Sequence, residues 1–257
     1  MWWLAHGEHE VPSTHDWLTA HERDHLTSIR FTKRRDEFLT RRWTAKQGVA
    51  SVLGLDGSPS SLARIEVDHR PSGAPYALVD GAVADVEVSI SDRAGWAVCL
   101  VGTPGAAGDR IGGADTIRKV GIDLEIVEPR TPGFVADFFT AHERAWVDAA
   151  PDDDRRHEAA NLIWSAKEAA LKVRQVGLRA DTRSVEVHLH GSRRTDGWSP
   201  LSVVDAEGEM HGWWRRDGVF VSTIASDVPH EPPRTLATSA RLIDAVPRHS
   251  WLDRPTC

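Results

Sequence analysis

Cysteine is scarce in this 257-residue chain, with two residues, and so are methionine, also with two, and tyrosine, with one. Cys99 lies inside an apolar run and Cys257 is the last residue of the sequence. Two such residues build neither a disulfide framework nor a cysteine-based zinc site, and a reducing cytoplasm is the simplest setting for the chain. Long apolar runs are also lacking, and no stretch approaches the ~18–20 residues that a membrane helix requires. The apolar start Met1–Ala5 is broken by His6, Glu8, His9 and Glu10 before the core of a signal peptide could form, so neither export nor a membrane partner is expected. Positive charge is the minority sign: 31 Lys and Arg stand against 38 Asp and Glu, a formal charge of −7, which argues against coating nucleic acid. Any anion site must therefore be local. The phosphate loop GxxxxGK[ST], the zinc motif HExxH and the nucleophile elbow GxSxG do not occur.

What is present suits a folded protein. Hydrophobic residues make up 40% and charged residues 27%, too apolar a mixture for wholesale disorder. Ser13-Thr14 reads as the start of a helix that runs to Ile29. Apolar positions from Phe31 to Leu53 then recur at mostly helical spacing, which predicts one long amphipathic helix over 30–55. Its polar face is basic, carrying Arg30, Lys33, Arg34, Arg35, Arg41, Arg42 and Lys46. Strand-like pieces follow at 62–67, 76–79, 83–90 and 96–101. Residues 102–118 are Gly-rich and include a GxxGxxG spacing at Gly102, Gly105 and Gly108, read as a connector because no clear helix follows. A strand at 120–127, helices at 133–149 and 155–175 and strands at 183–190, 199–204, 209–214 and 218–225 complete the pattern.

The order gives an α+β fold of two similar halves in a pseudo-two-fold arrangement, as if one unit had been used twice, although no convincing residue-level repeat accompanies it. The expected organisation is an N-terminal half at 1–115 with the basic helix, a C-terminal half at 116–225, and a Pro-containing tail at 226–257. That tail is loosely packed or lies across the body through Leu242, Ile243 and Trp251.

Two segments carry chemistry. Val120-Gly121-Ile122-Asp123-Leu124-Glu125-Ile126 alternates cleanly, so a strand places Val120, Ile122, Leu124 and Ile126 on the core face and Gly121, Asp123 and Glu125 on the other. Two carboxylates about 7 Å apart repel unless exposed or bridged, and a hard cation such as Mg²⁺ suits them. In Trp164-Ser165-Ala166-Lys167-Glu168-Ala169-Ala170-Leu171-Lys172 a helix sets Trp164, Glu168 and Lys172 on one side, an arrangement that also describes an ordinary Glu–Lys surface pair.

Together, and in this order, these segments resemble the (V/I)G(I/V)DxE and WxxKEAxxK signatures of the 4′-phosphopantetheinyl transferases, in their larger, monomeric type acting on peptide and polyketide synthase carrier proteins. The resemblance spans about residues 14–225. It implies Mg²⁺-dependent transfer of 4′-phosphopantetheine from coenzyme A to a serine of an acyl or peptidyl carrier protein, releasing 3′,5′-ADP. By motif, Asp123, Glu125 and Glu168 would hold the metal, Glu168 would act as base and Lys172 would neutralise phosphate charge, with Lys167 beside them toward the cofactor. Coenzyme A would also meet Arg42, Lys46, Gly73, Pro75, Ser91 and Arg93.

Two family features are altered. The usual Gly-(Lys/Arg)-Pro is Gly73-Ala74-Pro75, and the usual Ser-His is Ser91-Asp92, which sets an acid where a pyrophosphate donor belongs; Arg93, Arg42 and Lys46 are the candidates to compensate. These losses leave open a repurposed or non-catalytic member that binds another nucleotide, or binds a carrier protein without modifying it. A metal-dependent phosphodiesterase fits less well, because no further His or Asp cluster accompanies the carboxylates.

Overall fold

The computed structural model describes residues 1–103, 119–176, 180–191, 194 and 197–248. Gly105 and Gly108 of the Gly-rich segment, and Trp251 of the tail, lie outside the described residues. The chain divides into two compact units, the first comprising Met1–Arg118, Pro233–Arg241 and Val246–Cys257 and the second Lys119–Pro232 with Leu242–Ala245. Residues of the expected tail fall in both units.

In the first unit, β1 (Trp2–Gly7) is followed by α1 (Ala20–Ser28), α2 (Thr32–Leu53) and the single turn α3 (Pro59–Leu62). Then come β2 (Ile65–His69), β3 (Pro75–Val79), β4 (Ala82–Val83), β5 (Glu87–Arg93) and β6 (Trp96–Gly102). The second unit contains β7 (Val120–Ile126), α4 (Pro132–Phe138), α5 (Ala141–Asp148), α6 (Asp153–Val173), β8 (Glu186–Leu189), β9 (Ser199–Asp205), β10 (Gly208–Asp217) and β11 (Phe220–Ser226). From the tail, β12 (Arg234–Thr235) returns to pair in parallel with β1.

The sheet orders are β12-β1-β6-β5 with a separate β2-β3-β4 in the first unit, and β7-β11-β10-β9-β8 in the second. The fold is α+β. Reading β1-β6-β5 and then β3-β2 gives the order of the second sheet, with a break where β9 joins β10. Each unit lays one long helix, α2 or α6, on its sheet.

The duplication has a residue-level trace after all. Thr19-Ala20-His21-Glu22-Arg23 recurs identically as Thr140-Ala141-His142-Glu143-Arg144, and Trp43-Thr44-Ala45-Lys46 recurs as Trp164-Ser165-Ala166-Lys167, at the same spacing in both units. The first repeat is a helix start. Thr19 and Thr140 each accept from the backbone N–H of the glutamate three residues on, while Glu22 and Glu143 reach back to the threonine N–H. Such a box satisfies two helix-end donors at once, which is why both segments begin a helix there. It is also why the helix expected over 133–149 is two: α4 stops at Phe138 and Thr140 caps a new one.

Glycine governs how closely helix and sheet approach. A Cβ on Gly121 would stand 1.9 Å from the carbonyl oxygen of Ala169 and 3.2 Å from Cβ of Lys172, so only a hydrogen fits where α6 crosses β7. In the first unit the corresponding space is made by the helix: a Cβ on Gly48 would meet Cδ2 of Leu4 at 2.9 Å, the movable end of a side chain. Overpacking a core typically costs about 1–3 kcal/mol, and a backbone oxygen cannot turn aside. Gly121→Ala is therefore expected to lose more stability than Gly48→Ala in a urea titration, with a loss above about 3 kcal/mol.

Candidate active site

The alternation read in β7 is real, but its faces are used differently from the expectation. All seven residues are buried, and the helix covers the face carrying the motif. Gly121 lies under Ala169, Asp123 Oδ1 accepts from Lys172 Nζ at 2.9 Å, and Glu125 Oε1 accepts from the Trp164 indole N–H at 3.1 Å. Trp164 and Lys172 thus both bond to β7, and Glu168 feels the charge of Asp123 on it. The ordinary surface pair between Glu168 and Lys172 is not what forms, since Lys172 reaches the strand instead and also donates to the carbonyl of Ile122 at 2.8 Å.

Residues outside the motifs complete the surroundings. Arg130 donates to Glu125 Oε2 at 3.2 Å and to Asn161 Oδ1 at 2.7 Å, and Asn161 donates to the carbonyls of Glu128 and His157. Phe134 and Phe138 enclose the Trp164 ring at centroid distances of 5.0 and 5.3 Å. Motif reading passed over Arg130 and Asn161; one sits in a loop and the other points inward from α6, and neither spacing carries a signal.

Burial and the charge of Asp123 together raise the pKa of Glu168, with Lys172 opposing them. A carboxylate placed against a second one across a strand–helix contact favours either a proton or a cation there. Among the described residues, however, no three His, Cys, Asp or Glu side chains gather as a metal cluster. Glu125, the third expected ligand, bonds instead to Trp164 and Arg130. The remaining donor set, Asp123 and Glu168, suits magnesium: that ion commonly takes one or two carboxylates and fills its other positions with water and substrate phosphate.

Two of the expected cofactor contacts are corrected. Lys167 is fully buried, pairs with Glu143 Oε2 at 2.9 Å and donates to the carbonyls of Thr182 and Val185 at 2.8 and 2.5 Å. Lys46 is equally buried, with Glu22 and the carbonyl of Trp17 as partners. An ammonium surrounded in this way has no access to a ligand. Both glutamates also accept from a strand N–H, that of Val67 for Glu22 and of Val187 for Glu143, so each pair ties two helices to a strand.

The other expected contacts separate. Arg42 and Pro75 line a cavity of about 320 Å³ in the first unit together with Arg41, His21, His25 and His69. Arg42 lies 3.6 Å from Glu22 Oε1 and stacks over Phe38. Burial, then the charge of Arg42, lowers the pKa of His69. Asp92 is neutralised by Arg41 at 2.8 Å. Gly73 occupies the exposed β2–β3 turn at φ 90°, and Ser91 and Arg93 fall on the face of β5 opposite Ile90, which lines the cavity. Histidines 21, 25 and 69, which the sequence reading did not single out together, meet at this cavity only because α1 lies against the end of β2.

The duplication shows that the acids belong to one unit alone. The places of Asp123, Glu125, Glu168 and Lys172 are held in the first unit by Leu4, His6, Gln47 and Ser51, as the strand register and the helix repeat set them.

Residues 119–197 match the family model of the 4′-phosphopantetheinyl transferase superfamily, a span that contains both motifs. No curated protein matches the chain. The matched segment lies within the second unit. Among the described residues, no helix is long and apolar enough to cross a membrane.

The electrostatics of Glu168 set a direction for stability. Its folded pKa lies above the unfolded value, so the native state holds the proton more tightly and loses stability as pH rises through the folded pKa. In magnesium-free buffer, Glu168→Gln should raise Tm at pH 7 relative to the parent, and the gain should vanish as pH falls to the ordinary carboxylate range. A variant that melts lower than the parent at pH 7 would contradict this.

Proposed function

We propose that the protein transfers 4′-phosphopantetheine from coenzyme A to a serine hydroxyl of an acyl or peptidyl carrier protein, releasing 3′,5′-ADP. The observation that carries the reading is the Asp123–Lys172–Glu168 arrangement, which sets two acids and one ammonium against each other on the motif face of β7. The serine oxygen bonds to the phosphorus that bears pantetheine, and the bond from that phosphorus to the 3′,5′-ADP oxygen breaks with its electron pair leaving on ADP. The serine proton goes to Glu168.

A carboxylate whose pKa is raised toward neutrality serves better as a base than an ordinary one. Lys172 spends two of its three N–H donors on Ile122 and Asp123, which leaves one for a phosphate oxygen. Asp123 and Glu168 would hold magnesium, which, when bound, supplies charge neutralisation at the pyrophosphate oxygens. Phosphoryl transfer depends chiefly on positioning and on such neutralisation. Arg42, with His25 and His69 in the first unit's cavity, is the donor set suited to a nucleotide phosphate, and it stands in for the cation missing at Ala74.

Coenzyme A, magnesium and a generic apo carrier protein test the reading by mass spectrometry. A carrier heavier by one phosphopantetheine supports transfer, loss of coenzyme A without that gain indicates hydrolysis, and neither outcome indicates a binding role. Glu168→Gln should lower kcat about 10²–10⁴-fold, the usual contribution of acid–base catalysis. Separately, coenzyme A alone should raise Tm in proportion to its occupancy of the folded state, and His69→Ala should weaken that rise while the unliganded Tm stays close to the parent's.

A further inference from the structure

The second unit has a cavity of its own, about 520 Å³, that the transfer chemistry does not use. It opens between α5, the first turns of α6 and the ends of β8 and β10, away from Glu168 on the later turns of α6. Its place is the one the 320 Å³ cavity occupies in the first unit. His142 stands where His21 stands, Trp146 where His25 stands, Leu162 where Arg41 stands, and Leu189 where His69 stands. The equivalent hollow therefore has cationic walls in the first unit and mostly apolar ones in the second.

We propose that this second hollow binds an uncharged, ring-bearing small molecule. Its volume falls within the ~300–1,000 Å³ of small-molecule sites, which are lined mainly by apolar and aromatic groups. Trp214 forms a floor only 5% exposed, while Trp146 at the mouth is 43% exposed, so the hollow has depth for a ring between two indoles. The charges at its rim are spent on each other, two guanidiniums against two carboxylates: Arg155 bonds Glu158 at 3.0 Å, and Arg216 bonds Glu158 at 2.8 Å and Asp154 at 2.7 Å. A charged ligand finds no opposite partner there, whereas a neutral one keeps the walls dry and loses nothing at the rim. His142 supplies a ring nitrogen for one hydrogen bond.

The neutral fluorophore N-phenyl-1-naphthylamine tests this without coenzyme A, magnesium or a carrier, so the result is independent of whether transfer occurs. The full-length protein should give a saturable rise in emission at one probe per chain. Ala145, on α5, and Ala149, just past its end, are both exposed and line the hollow, so Ala145→Trp or Ala149→Phe fills it from the surface. Each should weaken probe binding at least about tenfold while Tm stays at the parent value, and the second variant serves if the first folds poorly. Equal emission from the parent and both filled variants, or no saturable rise from the parent, would overturn the proposal. So would self-association of the parent in light scattering that Ala145→Trp abolishes, since a second copy of the chain would then be the occupant.

Discussion

The carboxylate of Glu143 sits with no exposure between three elements. It accepts the N–H of Thr140 at the start of α5, the ammonium of Lys167 from α6 and the N–H of Val187 on β8. A buried charge is tolerable only when such partners surround it, and removing one partner of a buried pair costs about 3–5 kcal/mol. The pair holds α6 at one rotation about its axis. Because Glu168 follows Lys167 directly, that rotation turns Glu168 toward β7. The Glu22–Lys46 pair does the same for α2, with Gln47 in the place of Glu168.

That common clamp separates scaffold from chemistry. Both units keep the capping box, the buried pair and the tryptophan three residues before the lysine, so both build the same helix-on-sheet unit. Only the second places acids on the covered strand and a lysine one turn beyond the glutamate. In the first unit the equivalent tryptophan, Trp43, packs against the His6 ring at 6.4 Å, where Trp164 instead holds Glu125. Duplication preserved the interior contacts and left the strand–helix seam and the outer hollow of each unit to diverge.

A cost accompanies the chemistry. Burial and the charge of Asp123 make the charged form of Glu168 costly, with the Lys172 ammonium to offset them. Functional sites often hold groups in such surroundings, because an unperturbed carboxylate is a poor base at neutral pH. The stability given up at Glu168 is affordable because Gly121 and the Glu143 clamp seat α6 firmly against the sheet.

Local pattern was enough to read the α+β class, the strand at β7, the helix at α6 and the two motifs, since two-residue and 3.6-residue periods and short signatures lie within a few neighbouring residues. The repeated Thr-Ala-His-Glu-Arg was equally present in the letters and passed unread, although it marks both the duplication and the break between α4 and α5. What the letters could not decide was which charged residues would face inward. Lys46 and Lys167 share a type and a helical setting with Lys172, yet two are interior ties and one addresses the site. The difference arises from glutamates more than twenty positions away in the chain, brought into contact when each first helix docks. Burial, and with it the role of a charge, is a property of the packed chain and has no signature in its local sequence.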